Sequence, residues 1–209
     1  MRPALRVLPA GARAVLVETA DGEQAQALHA ELLRRRAAGE LAEVAEIVPA
    51  ARTVLVSGLA DPRAFAVDVA RWDLPPVVRG GGRAVELPVR FDGPDLAEVA
   101  GRWGVTAEEA AGIVADTVFR VAFCGFAPGF GYLTGLPERL HVPRRGTPRT
   151  AVPAGSVALA GPYAGVYPRS SPGGWQLIGT TGAALWDPAR EPAALLAPGT
   201  EVRFRAMGR

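Results

Sequence analysis

The chain has 209 residues, 49% of them hydrophobic, and its formal net charge at pH 7 is +2. This composition fits one large or two small globular domains, excludes a disordered chain and gives no indication of a nucleic-acid partner. No apolar run reaches the roughly 18 residues that span a membrane, the N-terminal stretch lacks a secretory-signal pattern, and the single cysteine cannot form an internal disulfide, so we expect a cytoplasmic protein without a membrane partner.

Residues 1–90 are predicted to form one domain of alternating strands and helices. The strand pattern "ARAVLVE" is followed by a helix over residues 22–37 and by two strands, "VAEIVPA" and "RTVLVSG". A second helix begins with Asp61 as cap and Pro62 in its first turn. The glycine-rich stretch "RGGGR", residues 79–83, is either a turn or an anion cradle. A last strand, "RAVELPVRF", completes the order β-α-β-β-α-β, which predicts a ferredoxin-like sandwich.

Residues 91–209 are predicted to form a second domain, which is entered through two short helices. Asp95 is expected to cap "LAEVAGRW", which Gly104 ends, and Thr106 and Glu109 have the spacing of a capping box for the next helix. This next helix carries three acidic residues and no arginine, so it would repel DNA phosphates and does not suit a helix-turn-helix.

From residue 118 onward, glycine and proline occur every few residues and the apolar stretches are short. Examples of these stretches are "VFRVAFCGF", "GSVALAG", "GVYP", "WQLIGTT" and "EVRFRAM". Short strands separated by many turns predict an all-β barrel or sandwich for most of the second domain.

The segment from residue 120 to residue 180 carries six arginines and one acidic residue, Glu138. Such a surplus of positive charge suits a carboxylate or a phosphate, although arginines on a loop-rich surface can also be simply solvated. In "PRRGTPRT", two prolines set three arginines on a stiff loop, which makes this stretch the stronger anion-binding candidate. The chain has no lysine, so it supplies neither a Schiff-base lysine nor the lysine of a P-loop.

Few acid–base groups accompany these arginines. His141 either transfers protons or has a structural role, and Cys124, which lies among apolar residues, favours a buried inert thiol over a nucleophile. No serine lies in a nucleophile elbow, and no His, Cys or Asp cluster has metal-ligand spacing, so we expect no metal site. The segment is therefore equipped to bind an anion but not to activate it alone.

The stretch "SPGGW" ends in two glycines and a tryptophan. Adjacent glycines indicate that the backbone approaches another group closely, and Trp175 is expected to anchor this loop in the barrel. The approached group is a ligand, a partner protein or, in the alternative, another part of the same barrel corner.

The run "FCGFAPGFGYLTGLPERLHVPRRGTPRTAVPAGSVALAGPYAGVYPRSSPGGWQLIGTT" resembles the signature of the allophanate hydrolase subunit 1 family. This family includes the B component of the prokaryotic 5-oxoprolinase and a sporulation-kinase inhibitor, and it is similar to half of the carboxyltransferase domain of urea carboxylase. The resemblance implies a cyclophilin-like barrel and a role in the ATP-dependent opening of 5-oxoproline to glutamate. It also implies two partners, a subunit-C protein with a related barrel and a third component of the lactam-utilisation type.

Two other functions remain open at this point, a carboxyltransferase subunit of urea or allophanate chemistry and a non-enzymatic inhibitor of a histidine kinase. For the 5-oxoprolinase, the chain is expected to form half of a composite site, with ATP as co-substrate and His141 as the candidate catalytic residue. The expected contacts with a small anionic substrate are Arg145, Arg149, Ser156, Tyr167, Ser171, Gly173, Gly174 and Gln176. The large rings expected to face the subunit-C partner are Phe126, Phe130, Tyr132 and Trp175.

Overall fold

The structure is a computed structural model that describes residues 5–75 and 83–208. The chain divides into two compact units, Met1–Gly81 and Gly82–Arg209. Within the described ranges, no helix combines the length and the apolar character that crossing a membrane requires. The stretch "RGGGR", considered above as an anion cradle, lies outside the described residues except for its last arginine.

The first unit contains an antiparallel sheet of four strands. The strands are β1 (Arg6–Pro9), β2 (Ala14–Glu18), β3 (Glu46–Pro49) and β4 (Thr53–Ser57), in the spatial order β1-β2-β4-β3. Val15 and Val17 of β2 and Val54 and Val56 of β4 are buried and alternate with more exposed neighbours, because successive side chains of a strand point to opposite faces. These valines form the core of the unit together with apolar residues of the two helices.

The two helices of the first unit, α1 (Gly22–Ala37) and α2 (Pro62–Val69), confirm the predicted helices. Both begin at aspartates whose side chains accept hydrogen bonds from backbone amides of the first turn, Asp21 from Gln24 and Asp61 from Arg63. After α1 the chain turns at Gly39, whose φ of 81° lies in the left-handed region that glycine adopts without strain.

The strand that was expected to complete a ferredoxin-like sheet belongs to the second unit. This strand, β5 (Ala84–Val89), pairs in parallel with β13 (Glu201–Ala206) along its whole length. The strand itself is confirmed, but the prediction of its partner is wrong, because a strand pattern does not reveal which sheet the strand joins. The first unit therefore has the order β-β-α-β-β-α, and the ferredoxin-like arrangement is not confirmed.

Two consecutive helices follow β5, namely α3 (Leu96–Trp103) and α4 (Ala107–Asp116). Gly104 ends α3 with a φ of 70°. The predicted capping box of α4 is confirmed, since the amide of Thr106 donates to Glu109 Oε2 at 2.7 Å and the amide of Glu109 donates to Thr106 Oγ1 at 3.2 Å. Asp95 stands at the N-cap position of α3, but its side chain makes no capping hydrogen bond, so the predicted cap is wrong.

The largest sheet of the second unit is a nearly closed barrel of seven strands. Besides β5 and β13 it contains β6 (Phe119–Cys124), β7 (Gly131–Thr134), β9 (Ser156–Ala160), β10 (Tyr163–Val166) and β12 (Gln176–Thr180), in the spatial order β12-β9-β10-β7-β6-β13-β5. Arg90, directly after β5, closes the ring by exchanging two backbone hydrogen bonds of 2.9 and 2.8 Å with Thr180 of β12. Two further strands, β8 (Arg149–Val152) and β11 (Ser171–Gly173), pair only with each other among the described strands.

The barrel strands have buried residues on both faces, and β9 illustrates this. Its Val157 and Leu159 belong to the main core, which also contains residues of α3 and α4. Its Ala158 and Ala160 belong to a second cluster, built mainly from the rings of Phe130, Tyr167 and Trp175 together with Val152 and Leu177. The second cluster includes Val152 of β8, and it supports the candidate site.

Candidate functional site

Asp95 connects the arginine-rich loop to the barrel. Its Oδ1 accepts hydrogen bonds from Arg145 Nη1 and Arg149 Nη2, both at 2.8 Å, and its Oδ2 accepts one from the amide of Leu177 at 2.7 Å. We call Asp95, Arg145 and Arg149 the barrel triad. Sequence reasoning missed the role of Asp95, because an aspartate before a helix is typical of an N-cap and its true partners lie far along the chain.

The two arginines are held by backbone contacts as well as by Asp95. The amide of Arg145 donates to the carbonyl oxygen of Gly174 at 2.8 Å. Arg149 is the first residue of β8 and lies opposite Gly173 of β11. The loop "PRRGTPRT" and the loop "SPGGW" are therefore neighbours, as the expected anion site requires, and the second loop fixes the backbone of the first.

The barrel triad keeps a surplus of positive charge, because one carboxylate faces two guanidinium groups. The side chains of Arg145 and Arg149 are 32% and 24% exposed, so a ligand can reach them from solvent. Buried polar atoms of both side chains, Arg145 Nε and Arg149 Nη1, have no hydrogen-bond partner among the described residues. Two partly exposed guanidinium groups with a net positive charge suit an anion such as a carboxylate.

Asp95 is ionised at neutral pH despite its burial. Burial acts to raise the pKa of its carboxyl group, but the hydrogen bonds from Arg149 and from the amide of Leu177, together with the two positive charges, lower this pKa below its ordinary value. The carboxylate therefore remains a fixed negative charge that orients both guanidinium groups.

Gln176 is buried beside this loop. Its Nε2 donates to the carbonyl oxygen of Pro143 at 3.3 Å, and its Oε1 is buried without a partner in the described part of the chain. The orientation follows from chemistry, because a carbonyl oxygen only accepts hydrogen bonds and must face the NH2 group. The side-chain amide of Gln176 thus links Pro143, shortly before Arg145, to β12 by a hydrogen bond.

The glycine pair of "SPGGW" does not open the backbone to a ligand in the way that the sequence suggested. A Cβ atom on Gly173 would lie 2.2 Å from the hydroxyl oxygen of Tyr167, so it is this side chain of the same barrel that requires glycine. A Cβ atom on Gly174 would meet nothing closer than 3.6 Å, in Pro148. The alternative interpretation, a tight barrel corner, is therefore the one observed at Gly173.

Three expected substrate contacts are buried parts of the scaffold. Ser156 is 3% exposed and its hydroxyl donates to the carbonyl oxygen of Pro153 at 2.8 Å, so it stabilises a turn. Ser171 is 8% exposed, and Tyr167 is 2% exposed with its ring in the aromatic cluster. Burial raises the pKa of Tyr167, so the hydroxyl is protonated at neutral pH. Their burial gives these three residues a structural role in this barrel, and their direct contact with a substrate stays a prediction.

The candidate catalytic residue and the cysteine are both partly buried. His141 Nε2 lies 3.1 Å from the carbonyl oxygen of Leu136, which only accepts hydrogen bonds, so this nitrogen acts as the donor. No hydrogen bond joins His141 to the barrel triad within the described residues, and its proton-transfer role stays a prediction. Burial raises the pKa of Cys124, whose thiol faces the carbonyl oxygen of Leu196, which fits an inert thiol.

Of the four rings expected at a partner interface, only Phe126 is exposed. Phe130 and Trp175 are 2% and 5% exposed and pack edge to face with ring centroids 5.5 Å apart, so both are core residues. Tyr132 is half-buried and stacks on Phe123. Phe126 is 57% exposed. The expectation failed for Phe130 and Trp175 because glycine- and proline-rich turns surround these residues in sequence, whereas their side chains point into the aromatic cluster.

A metal site was not expected from the sequence. Across residues 5–75 and 83–208, no group of three or more His, Cys, Asp and Glu side chains is arranged to hold a metal ion. The barrel triad, with two cations and one carboxylate, repels a metal cation.

Comparison with known proteins gives a family for the chain. The family model of the carboxyltransferase domain, subdomain C and D, matches residues 5–196. The chain belongs to this family. Among its relatives, a protein from Escherichia coli O157:H7 that is named as the B subunit of 5-oxoprolinase is 42% identical over 173 residues, which cover 79% of this chain and 79% of that protein. A protein of the same name from Haemophilus influenzae is 48% identical over 130 residues, 61% of each chain.

Solved structures confirm the fold of this carboxyltransferase subdomain C and D chain. The protein TTHA0988 is 35% identical with a TM-score of 0.77, and the match covers 95% of this chain but only 40% of that longer chain. The protein PH0987 from Pyrococcus horikoshii is 30% identical with a TM-score of 0.58, and the match covers 98% of each chain. Kluyveromyces lactis urea carboxylase has a TM-score of 0.70 at 19% identity over 23% of its length, which shows a shared fold alone.

Proposed function

We propose that this chain is the B subunit of a 5-oxoprolinase, which hydrolyses 5-oxo-L-proline to L-glutamate with ATP as co-substrate. The name shared by relatives at 42% and 48% identity supports this function. The structural observation that carries it is the barrel triad, in which two partly exposed arginines share one buried carboxylate and keep a surplus positive charge. We infer that this surplus charge receives the carboxylate of the substrate.

The complete enzyme consists of several subunits in this proposal. A subunit-C protein completes the site, and a component of the lactam-utilisation type joins them, in the cytoplasm. Two properties of the chain support a shared site: it has no lysine for a P-loop, and its one histidine in the second unit has no hydrogen bond to the barrel triad among the described residues. We infer that the barrel is of the cyclophilin-like type and that ATP is bound together with the partner subunits.

The two other candidate functions have less support. A urea or allophanate carboxyltransferase of the biotin-dependent type needs a separate biotin-carrying module, and the likeness to urea carboxylase concerns the fold alone. Inhibition of a histidine kinase would need a surface that recognises the kinase, and no contact described above indicates one.

The first experiment measures glutamate release from 5-oxoproline and ATP. We expect no release by the purified chain and steady release after the subunit-C protein and the lactam-utilisation component are added. Turnover by the single chain would disprove the shared site, and no turnover by the three proteins together would disprove the 5-oxoprolinase function.

The second experiment tests the anion site by replacing Arg149 with lysine or glutamine in the assembled complex. Arg149 is fixed by β8 and by its hydrogen bond to Asp95. Lysine cannot offer a substrate carboxylate the paired N–H donors of a guanidinium group, so kcat/KM should fall about 100-fold in both variants. The matched control is Arg34→Gln, which removes an arginine that also shares a carboxylate with a second arginine, but in α1. If Arg149→Lys keeps near-normal activity and Arg145→Ala does not, the wrong arginine has been assigned.

A further inference from the structure

Phe126 combines two unusual properties. Its φ of 66° makes it the one residue other than glycine with a positive φ among the described residues. Its side chain is 57% exposed, the largest exposure of any aromatic ring described. The amide of Ala127 donates to the carbonyl oxygen of Gly125 at 2.7 Å, so Phe126 is the central residue of a three-residue γ-turn.

This backbone conformation is unfavourable for phenylalanine. Residues with a side chain held at positive φ cost of order 1–3 kcal/mol, and they persist where the surrounding structure enforces them. Here the enforcing contacts are two further backbone hydrogen bonds across the same turn, from Gly125 to the carbonyl oxygen of Phe130 at 3.2 Å and from Phe130 to that of Ala127 at 2.9 Å. Glycine would adopt the backbone conformation of this position without strain, so the conformation of the turn is no reason for a phenylalanine at position 126.

The ring of Phe126 adjoins the anion site through Tyr167. It packs edge to face against Tyr167 with ring centroids 6.1 Å apart, and against Phe130 at 5.3 Å. The Tyr167 hydroxyl, in turn, reaches Gly173, which lies opposite Arg149.

Phe126, whose ring is open to solvent, is thus connected to Arg149 of the barrel triad through Tyr167 and Gly173. Phe126 is a poor candidate for a core residue, because more than half of its side chain is open to solvent. A small molecule with an anionic group and an apolar flank has the chemistry to contact both the barrel triad and the ring of Phe126. The five-membered ring of 5-oxoproline, with its methylene groups and its carboxylate, has this character.

We propose that Phe126 is a specificity-determining residue that packs against the apolar ring of the substrate while the barrel triad holds the carboxylate. This inference rests on the proposed function. The strained turn presents the ring to the ligand, and Phe130 supports it from inside the barrel.

The experiment compares Phe126→Ala and Phe126→Gly with the wild type in the complete three-protein complex. Both the dissociation constant of 5-oxoproline, from titration calorimetry, and KM and kcat are measured. We expect the dissociation constant and KM to rise about tenfold in both variants, with a smaller change in kcat, because the ring contributes binding and no chemistry. The matched control is Val118→Ala, which truncates another exposed apolar side chain of the same unit, 42% exposed, and should change neither constant.

Phe126→Gly adds a readout of folding. Since glycine relieves the backbone strain, this variant should unfold at a temperature no lower than that of Phe126→Ala while it binds the ligand equally poorly.

Unchanged constants in both Phe126 variants, with binding lost in Arg149→Gln, would overturn this inference and leave the proposed function intact. Loss of co-purification with the partner proteins would also overturn it, because the ring would then be a contact between subunits. A wild-type complex that neither binds nor hydrolyses 5-oxoproline would disprove the proposed function itself, and this inference with it.

Discussion

Each unit of the chain contains a carboxylate that accepts hydrogen bonds from two arginines, and the two groups differ in how they are built. In the first unit, Glu31 bonds Arg34 and Arg35, three and four residues further along α1. We call these residues the helical triad. In the barrel triad, the arginines lie 50 and 54 residues from Asp95. The helical triad follows from helix geometry, whereas the barrel triad depends on the tertiary fold.

The two triads also differ in charge balance. Glu40 adds a second carboxylate to the helical triad, 3.1 Å from Arg35, and the Arg35 guanidinium lies 4.0 Å above the ring of Trp72. The charges of the helical triad and Glu40 therefore cancel, and both arginines of this triad have partners within the first unit. The barrel triad keeps one positive charge and two buried donor atoms without a partner among the described residues. In this chain, a carboxylate between two arginines therefore indicates a ligand site only where positive charge and hydrogen-bond donors are left over.

The largest expected effect is the loss of stability when the carboxylate of the barrel triad is removed, compared with removal of the carboxylate of the helical triad. Asp95→Ala leaves the amide of Leu177 and two partly buried guanidinium groups without their acceptor, and it should lower the free energy of unfolding by about 3 kcal/mol. Glu31→Ala removes two ion pairs within one helix, but Arg35 keeps Glu40 as a partner and no backbone amide loses its acceptor, so it should cost less than Asp95→Ala. Urea unfolding followed by tryptophan fluorescence measures both values. Equal losses would show that the two triads stabilise the chain in the same way.

A loss of stability of intermediate size is expected from a change in β11, which pairs with β8 opposite Arg149 of the barrel triad. Gly173→Ala places a methyl group in the space of the Tyr167 hydroxyl, so it should lower the free energy of unfolding by about 2 kcal/mol. Gly174→Ala, the matched control, meets only ordinary contacts and should change it by less than about 0.5 kcal/mol. Adding Tyr167→Phe to Gly173→Ala should restore part of the loss. If the two alanine variants are equally stable, the close approach does not determine this corner.

The smallest expected effect is a change in how the stability of the chain depends on pH in the acidic range. The hydrogen bond from Arg34 is the main cause that lowers the pKa of Glu31 from 4.5 to about 2, against the opposing effect of burial. A carboxyl group whose pKa is lower in the folded chain adds stability above its unfolded pKa and loses it as pH falls through the folded value. The loss from Glu31 therefore lies between pH 4.5 and about pH 2. The melting temperature of Glu31→Gln should fall less steeply with decreasing pH over this window than that of the wild type, and parallel curves would contradict this.

Local signals in the sequence were sufficient for much of the secondary structure. The caps at Asp61 and at Thr106, and the glycine that ends α3, involve residues within a few positions of one another, and the structure confirms all three helix ends. The strand patterns of the barrel are likewise confirmed. The arginine-rich loop was recognised because charge surplus is visible in composition.

The features that the sequence did not reveal all depend on distant contacts. The pairing of β5 with β13, the bonds of Asp95 to both arginines, and the burial of Phe130 each join parts of the chain that are far apart in sequence. A positive φ at Phe126 also has no signal in the sequence, because phenylalanine is not typical of that conformation. One general hint was present: the arginine surplus of residues 120–180 is balanced by acidic residues elsewhere in the chain.

The position of β13 in the barrel has a consequence for biosynthesis. This strand is the last of the described elements, and it lies between β5 and β6, both of which are made much earlier. During synthesis on the ribosome, β5 therefore lacks its hydrogen-bonding neighbour β13 until the chain has been extended to residue 206. During this time its backbone is an unpaired strand edge, which other chains can join. Protection of the nascent second unit by a chaperone, or rapid release after synthesis, matters more for this barrel than for the first unit, whose four strands all emerge before residue 58.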